Sequence, residues 1–170
     1  MEEIILLYIQ EHIRNPSLDP IFKTITHLGD KGIFWIILTV ILLSIKKTRT
    51  AGISSACALL GSLLVNNLLL KNLFNRTRPY EVIEGLTCII QPATDASFPS
   101  GHTGASFASA VAIYRNVPRK YGIILLVLAS LIAFSRLYVG IHYPTDVLGG
   151  LATGIALGIL ASPRKFRVQS

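Results

Sequence analysis

Charged residues are scarce in this chain of 170 residues. They make up only 15% of the sequence, whereas hydrophobic residues make up 51%, and a soluble domain typically has about 25% charged residues. A soluble domain with so few charges would leave too much apolar surface in contact with water. The composition therefore excludes an ordinary soluble domain, argues against disorder and predicts a membrane protein.

Cysteine is also scarce, since the chain has only Cys57 and Cys88. Two cysteines cannot form a disulfide framework, and neither has the spacing of a metal-ligand motif. We therefore expect no bridge between them. The chain begins Met-Glu-Glu and lacks the basic segment that opens a cleaved signal peptide. Its apolar segments are expected to remain in the mature protein.

Five apolar segments approach the roughly 20 residues that a helix needs to cross a bilayer core. They cover residues 28–45, 51–70, 102–117, 121–141 and 144–162. The first includes Asp30 and Lys31 ahead of its apolar part. Upstream, residues 3–14 mix apolar and charged side chains, which predicts an interfacial helix on the membrane or a sixth helix at the bundle edge. The expected fold is an all-α integral membrane bundle of five to six transmembrane helices.

A single domain is expected over residues 1–170. Within it, residues 1–17 form the N-terminal amphipathic helix, 18–162 the transmembrane core and 163–170 a basic cytoplasmic tail. The last predicted helix has a glycine at every fourth position, namely Gly150, Gly154 and Gly158. Glycines spaced in this way let helix backbones approach closely in lipid, so we assign them to packing rather than chemistry.

The basic residues outnumber the acidic ones by 16 to 9, which gives a formal net charge of +7. A basic soluble protein would suggest a nucleic-acid partner, but here the position of the charges favours membrane orientation. Five alternating spans place nine basic residues and no acidic ones on one side of the membrane. These nine are Lys46, Lys47, Arg49, Arg115, Arg119, Lys120, Arg164, Lys165 and Arg167. By the positive-inside rule this side is cytoplasmic, and the long loop of residues 78–99 faces outward.

The first of three polar clusters lies at the outer end of the second predicted helix. Lys71 and Arg78 are seven residues apart, and Pro79 follows directly. In a continuous helix this spacing is two turns, so both cations would share one face and suit a phosphate. Alternatively, they are cations that snorkel to the interface at a helix end.

The second cluster is Ser97-Phe98-Pro99-Ser100-Gly101-His102-Thr103, immediately before an apolar helix. Ser100 suits the N-cap, and Gly101 lets the backbone approach a ligand closely. The free N–H groups of the first turn favour an anion, and His102 can give or take a proton. The alternative is an ordinary capped helix start with an exposed histidine.

The third cluster, Arg136, His142 and Asp146, spans the junction of the last two predicted helices. Pro144 suits the first position of the final helix. Asp146 can reach back to His142, fix its tautomer and leave the other ring nitrogen free as a nucleophile. The alternative is a polar cap, and the pattern by itself does not say which histidine would be the nucleophile.

Together the three clusters offer three cations, an anion-binding helix start and two histidines on the outer side. Phosphoryl transfer depends mainly on positioning and charge stabilisation. Three cations can neutralise a phosphoryl group without a metal, so we expect neither a metal nor a cofactor. Lipid phosphate and the bilayer are the expected partners, and no nucleic acid is expected.

The three clusters resemble the three-part signature of the type 2 phosphatidic acid phosphatase superfamily. Its members are membrane lipid phosphatases, with vanadium haloperoxidases and some soluble acid phosphatases as relatives. The chain matches every defined position of Lys-x6-Arg-Pro, Pro-Ser-Gly-His and Ser-Arg-x5-His-x3-Asp. The matching residues are Lys71, Arg78, Pro79, Pro99, Ser100, Gly101, His102, Ser135, Arg136, His142 and Asp146.

The resemblance implies a role for each residue. His142 would attack phosphorus and form a phosphohistidine, Asp146 would orient it, and His102 would protonate the leaving oxygen and then activate water. The groups implied to hold the phosphoryl oxygens are Lys71, Arg78, Ser100, the Gly101 amide and Arg136.

Bacterial members of the family act on undecaprenyl diphosphate, phosphatidylglycerol phosphate, phosphatidic acid or the 1-phosphate of lipid A. The resemblance therefore implies a multi-pass lipid phosphatase of the bacterial cytoplasmic membrane, with its site facing the periplasm or the outside. A lipid phosphotransferase and a non-catalytic lipid-phosphate binding or transport protein are the alternatives. The sequence leaves the oligomeric state open.

Overall fold

The computed structural model describes residues 1–162, and all the regular structure in this part is helical. The predicted basic tail, residues 163–170, lies outside the described residues. The helices are α1 (Glu2–Tyr8), α2 (Asp19–His27), α3 (Ile33–Ser44), α4 (Arg49–Ser62), α5 (Lys71–Phe74), α6 (Pro79–Val82), α7 (Gly101–Tyr114), α8 (Arg119–Tyr138) and α9 (Pro144–Leu160). The π-helical segment Ile9–Ile13 continues α1, and a second one, Leu63–Leu70, joins α4 to α5.

Two helical stretches of the described chain are long and apolar enough to cross a membrane. They are Arg49–Val82 and Arg119–Tyr138. A third crossing is available if α2 and the segment Asp30–Ser44, which are bent by 45° at their break, act as one span. Helix α9 is apolar but shorter. The all-α prediction is therefore confirmed, whereas the count of five to six spans stays a prediction.

The start of the first predicted span is wrong, because the helix does not extend back to Leu28. A 3-10 turn, Asp30–Gly32, interrupts the chain, and its Lys31 and Gly32 have φ values of 51° and 68°. Left-handed residues cannot continue a right-handed helix. Helix α3 therefore begins at Ile33 after this turn, and α2, which the sequence analysis missed, lies before it.

Helices α7 and α9 are in direct backbone contact along the glycine stripe. A Cβ atom added to Gly150, Gly154 or Gly158 would lie 2.5, 2.6 or 2.8 Å from a carbonyl oxygen of α7 or its N-cap. The packing role predicted for these glycines is thus confirmed. The Ser100 amide also donates to the Asp146 carbonyl oxygen at 3.0 Å, so the two helix starts lie side by side.

Buried hydroxyl groups connect α3 and α4 to α7. Ser55 Oγ lies 2.7 Å from both Thr39 Oγ1 and Ser109 Oγ, and the Trp35 indole donates to Ser106 Oγ at 2.9 Å. Within apolar helices such bonds satisfy polar groups and hold the helices in register. α7 is therefore the central helix, with α3 and α4 joined to one side and α9 packed against another.

The N-terminal helix crosses the end of the bundle at which α8 ends and α9 begins. Its Leu6 and Ile9 are buried, and Arg14, just beyond it, donates to the Tyr138 carbonyl at 2.6 Å and the Thr87 carbonyl at 2.9 Å. The helix is thus anchored to the protein through one face. Its position relative to a bilayer stays a prediction. Both cysteines are free thiols, as expected.

We expect Gly154→Val to destabilise the protein, because the new side chain would collide with the backbone of α7. Overpacking of this kind costs about 1–3 kcal/mol. Ala156→Val is the matched control, because Ala156 lies on the exposed face of the same helix. Thermal unfolding of both purified variants in detergent would check this, and equal melting temperatures would contradict the packing described here.

Candidate active site

Lys71 and Arg78 meet across a turn and not along one helix face. Helix α5 ends at Phe74, Asn75 is left-handed with a φ of 39°, and Arg78 has an extended backbone. The predicted two-turn helical relationship is therefore wrong, although the two cations do converge. They converge on Asp95: Lys71 Nζ pairs with one carboxylate oxygen, and Arg78 Nη2 donates to the other at 2.6 Å.

Asp95 places an oxyanion between the two cations. Partial burial raises the pKa of this carboxyl group, but the hydrogen bonds and charges of Lys71 and Arg78 lower it to a greater extent, so the net pKa is below its usual value. Its side chain is still 55% exposed. The position between Lys71 and Arg78 is therefore suited to an oxyanion that can be exchanged with solvent.

His142 lies in the connection between α8 and α9 and is fully buried. Arg78 Nη1 is 3.2 Å from its Nε2 atom. Because a guanidinium can only donate, Nε2 must be the unprotonated nitrogen, and the ring hydrogen is on Nδ1. Burial lowers the pKa of His142, the charges of Arg136 and Arg78 lower it further, and Asp146 opposes them. Burial and both cations therefore favour the neutral imidazole, with the Nε2 lone pair directed at Arg78.

Asp146 is held by several donors and approaches His142 at a longer distance. Its Oδ2 atom lies 3.4 Å from His142 Nδ1 and accepts from the Tyr143 amide at 2.9 Å. Ser97 Oγ donates to the same oxygen and lies 3.5 Å from Nδ1. Arg76 Nη1 donates to Oδ1 at 2.7 Å. The predicted pairing of His142 with Asp146 is thus present but long, and Ser97 lies beside both partners.

Ser100 caps α7 as the sequence predicts. Its backbone is extended, and its Oγ atom accepts from the Thr103 amide at 3.4 Å and from Thr103 Oγ1 at 3.0 Å. A Cβ atom at Gly101 would lie 2.7 Å from Asn67 Oδ1, so a larger residue would displace that side chain. In the same first turn, His102 Nε2 is 2.9 Å from Asp30 Oδ1.

Arg136 is the third buried cation. Its Nη1 atom donates to Thr26 Oγ1 at 2.6 Å, whereas its buried Nε atom has no hydrogen-bond partner among residues 1–162. A buried donor without an acceptor is costly. An oxyanion bound near His102 and His142, both of which are within range of the charge of Arg136, would supply that acceptor.

A cavity of about 600 Å³ opens beside these groups. Its polar end is lined by Lys71, Asp95, Gly101 and His102. Apolar residues of α3, α4 and the following π-helical segment continue the wall, namely Ile36, Leu59, Leu60 and Leu63. An anionic head group and the start of an apolar chain therefore have adjoining places in one cavity.

The structure brings all eight predicted site residues to the same end of the bundle. It also gives contacts in the site to Arg76 and Ser97, which the clusters contain without a predicted role, and to Asp95, which lies shortly before the second cluster. Asp30 lies 72 positions before His102. No sequence signal connects Asp30 to the site, so only the three-dimensional structure identifies it.

Comparison with known proteins agrees with this geometry. Residues 51–169 match the model of the PAP2 superfamily. The chain is 36% identical over 151 residues to undecaprenyl-diphosphatase BcrC of Bacillus subtilis. The aligned region covers 86% of this chain and 74% of that protein. This chain spans 61% and 56% of the lengths of two further relatives.

Two solved structures have the same fold. The transmembrane PAP2 type phosphatidylglycerolphosphate phosphatase of Bacillus subtilis matches 94% of this chain and 82% of its own, with a TM-score of 0.76 and 29% identity. Aquifex aeolicus LpxE matches 94% of this chain and 92% of its own, with a TM-score of 0.81 and 28% identity. The resemblance seen in the three motifs is thus confirmed, and this chain belongs to the PAP2 superfamily.

Proposed function

We propose that this protein is a membrane lipid phosphatase that releases phosphate from lipid phosphates or diphosphates through a phosphohistidine at His142. One observation carries the proposal. The unprotonated Nε2 atom of buried His142 lies against Arg78, and the same guanidinium binds the oxyanion of Asp95 together with Lys71. A nucleophile is therefore adjacent to a position that already accepts an oxyanion.

In the first step a phosphoryl group takes the place of the Asp95 carboxylate. The lone pair of His142 Nε2 attacks phosphorus, an N–P bond forms, and the bond from phosphorus to the lipid oxygen breaks. Protonated His102 gives its proton to that leaving oxygen. Asp146 stabilises the charge that develops on His142, and Lys71, Arg78, Arg136, Ser100 and the Gly101 amide hold the phosphoryl oxygens.

In the second step water replaces the lipid. His102, now neutral, takes a proton from the water as its oxygen attacks phosphorus, and the N–P bond to His142 breaks. The products are inorganic phosphate and a lipid alcohol, or a lipid monophosphate if the substrate was a diphosphate. The three cations supply the positive charge that the transferred group needs, so we propose that the reaction requires no metal.

A polyprenyl diphosphate is the first substrate we propose. The cavity combines Lys71 and His102 with an apolar wall from α3 and α4, and the relative described above is an undecaprenyl-diphosphatase. Phosphatidylglycerol phosphate, phosphatidic acid and lipid A 1-phosphate are the other candidates. We also propose one domain in the bacterial cytoplasmic membrane with the site facing outward, supported by the basic residues in the connections at the opposite end.

Two alternatives use the same residues. A phosphotransferase would pass the phosphoryl group to a second lipid instead of water. A binding or transport protein would need only the cations, so the presence of His102, His142 and Asp146 argues against it. Labelled donor and product analysis separates transfer from hydrolysis, and phosphate release separates both from binding.

We expect His142→Ala to lower phosphate release by roughly 1,000-fold or more, because the nucleophile is removed. The purified protein would be assayed in detergent with EDTA across undecaprenyl diphosphate, phosphatidylglycerol phosphate, phosphatidic acid and lipid A 1-phosphate. His12→Ala is the matched control, since His12 is exposed on the N-terminal helix. A His142→Ala protein as fast as wild type would contradict the proposal, as would loss of wild-type activity in EDTA.

We expect Asp95→Asn to strengthen the binding of inorganic phosphate by roughly five- to tenfold, because a competing negative charge leaves Lys71 and Arg78. Calorimetric titration of the purified protein with phosphate measures this without any turnover. Glu84→Gln removes a charge from an exposed position of the same loop and serves as the control. Weaker phosphate binding in Asp95→Asn would mean that Asp95 positions the cations and does not compete for them.

A further inference from the structure

His102 has a carboxylate partner outside the three motifs. Its Nε2 atom lies 2.9 Å from Asp30 Oδ1, and the other carboxylate oxygen lies 2.7 Å from His27 Nδ1. The His27 side chain is 61% exposed, whereas that of His102 is 20% exposed. Asp30 therefore connects a histidine in the cavity wall to one at the protein surface.

The turn that carries Asp30 also packs directly on the His102 ring. A Cβ atom at Gly29 would lie 2.5 Å from His102 Cδ2, so the backbone there is in contact with the imidazole. The break that follows, with left-handed Lys31 and Gly32, is what brings this turn to the cavity. The break that interrupts the first predicted span therefore also places Gly29 and Asp30 against His102.

The Asp30 contact determines which ring nitrogen of His102 is available. A carboxylate only accepts hydrogen bonds, so Nε2 must carry hydrogen in this contact, and Nδ1 is the nitrogen left for a substrate or water. At His142 the arrangement is reversed, because Nδ1 faces Asp146 and Nε2 faces Arg78. The two histidines thus have opposite tautomers, set by Asp30 at His102 and by Arg78 together with Asp146 at His142.

Asp30 also supplies charge where a general acid needs it. Burial and the charges of two cations, Arg136 and Lys71, act on the His102 ring together with Asp30. Both cations disfavour the protonated imidazole, while an adjacent carboxylate favours it. Asp30 therefore opposes burial and the two cations, which together still favour the neutral ring in the free protein, and it lowers the cost of protonating His102 for proton transfer to the leaving oxygen.

We propose that Asp30 is the positioning residue for His102. Asp30 holds the His102 ring in its Nε2–H tautomer and stabilises the protonated ring during proton transfer to the leaving group. This inference rests on the proposed phosphatase function for its kinetic part. Its structural part, the tautomer of His102, stands independently of any activity.

The structural part is tested by nitrogen-15 NMR of histidine-labelled protein in detergent, with the His102 signals assigned by a His102→Gln variant. We expect neutral His102 to carry its hydrogen on Nε2 in the wild-type protein and to lose this preference in Asp30→Asn. Wild-type His102 with its hydrogen on Nδ1 would overturn the proposal, and this measurement remains decisive if Asp30→Asn does not fold.

The kinetic part is tested by comparing two leaving groups. Phosphatidic acid releases an alcohol that must be protonated, whereas nitrophenyl phosphate releases a stable anion that need not be. The value of kcat/KM reports only the steps up to cleavage of the phosphate ester. Water activation in the second step therefore does not affect kcat/KM. We expect Asp30→Asn to lower kcat/KM about tenfold or more for phosphatidic acid and less than about threefold for nitrophenyl phosphate.

Controls distinguish the two ways in which the idea can fail. Glu84→Gln removes an exposed carboxylate with no contact to His102 and should match wild type on both substrates. Equal losses for both substrates in Asp30→Asn, or no loss, would overturn the positioning role while leaving the phosphatase in place. If the wild-type protein releases phosphate neither from these two substrates nor from a polyprenyl diphosphate, the proposed function fails, and NMR alone decides the role of Asp30.

Discussion

The backbone contact between α7 and α9 is the constraint on which the site depends. Ser100 and His102 belong to the start of α7, and Asp146 belongs to the start of α9. Because Gly150, Gly154 and Gly158 carry no side chain, the two helix starts can lie side by side, joined by a bond from the Ser100 amide to the Asp146 carbonyl. Arg78 is then held beside His142 by a bond from its Nη1 atom to the Ile141 carbonyl oxygen at 3.0 Å.

A second constraint is the cost of burying cations. Lys71, Arg78 and Arg136 are all buried, and an unpaired charge in such surroundings is expensive. The protein offsets this cost with carboxylates that differ in exposure. Asp95 is more than half exposed and can give way to a phosphate, whereas Asp146 is fully buried and stays in place. Burial thus separates a replaceable anion from a permanent one.

The parts of the site that follow local rules could be predicted from the sequence. The Ser100 cap, the start of the last helix at Pro144 and the packing of the glycine stripe depend on neighbours three or four positions away, and each is found as expected. The breaks at Asn75 and Lys31 could not be predicted, because hydropathy does not reveal left-handed backbone at residues other than glycine. The contact between Asp30 and His102 depends on such a break, so it escaped sequence analysis for the same reason.

The central claim is that buried His142 is the nucleophile that receives the phosphoryl group. The most direct measurement is rapid acid-free quenching of the purified protein during turnover of a lipid diphosphate labelled with phosphorus-32 at the terminal phosphate, followed by identification of the labelled residue. The account predicts a phosphohistidine at His142 that forms and decays at the rate of turnover and is absent from His142→Ala. Label on another residue, or full turnover with no labelled protein at any time, would contradict it.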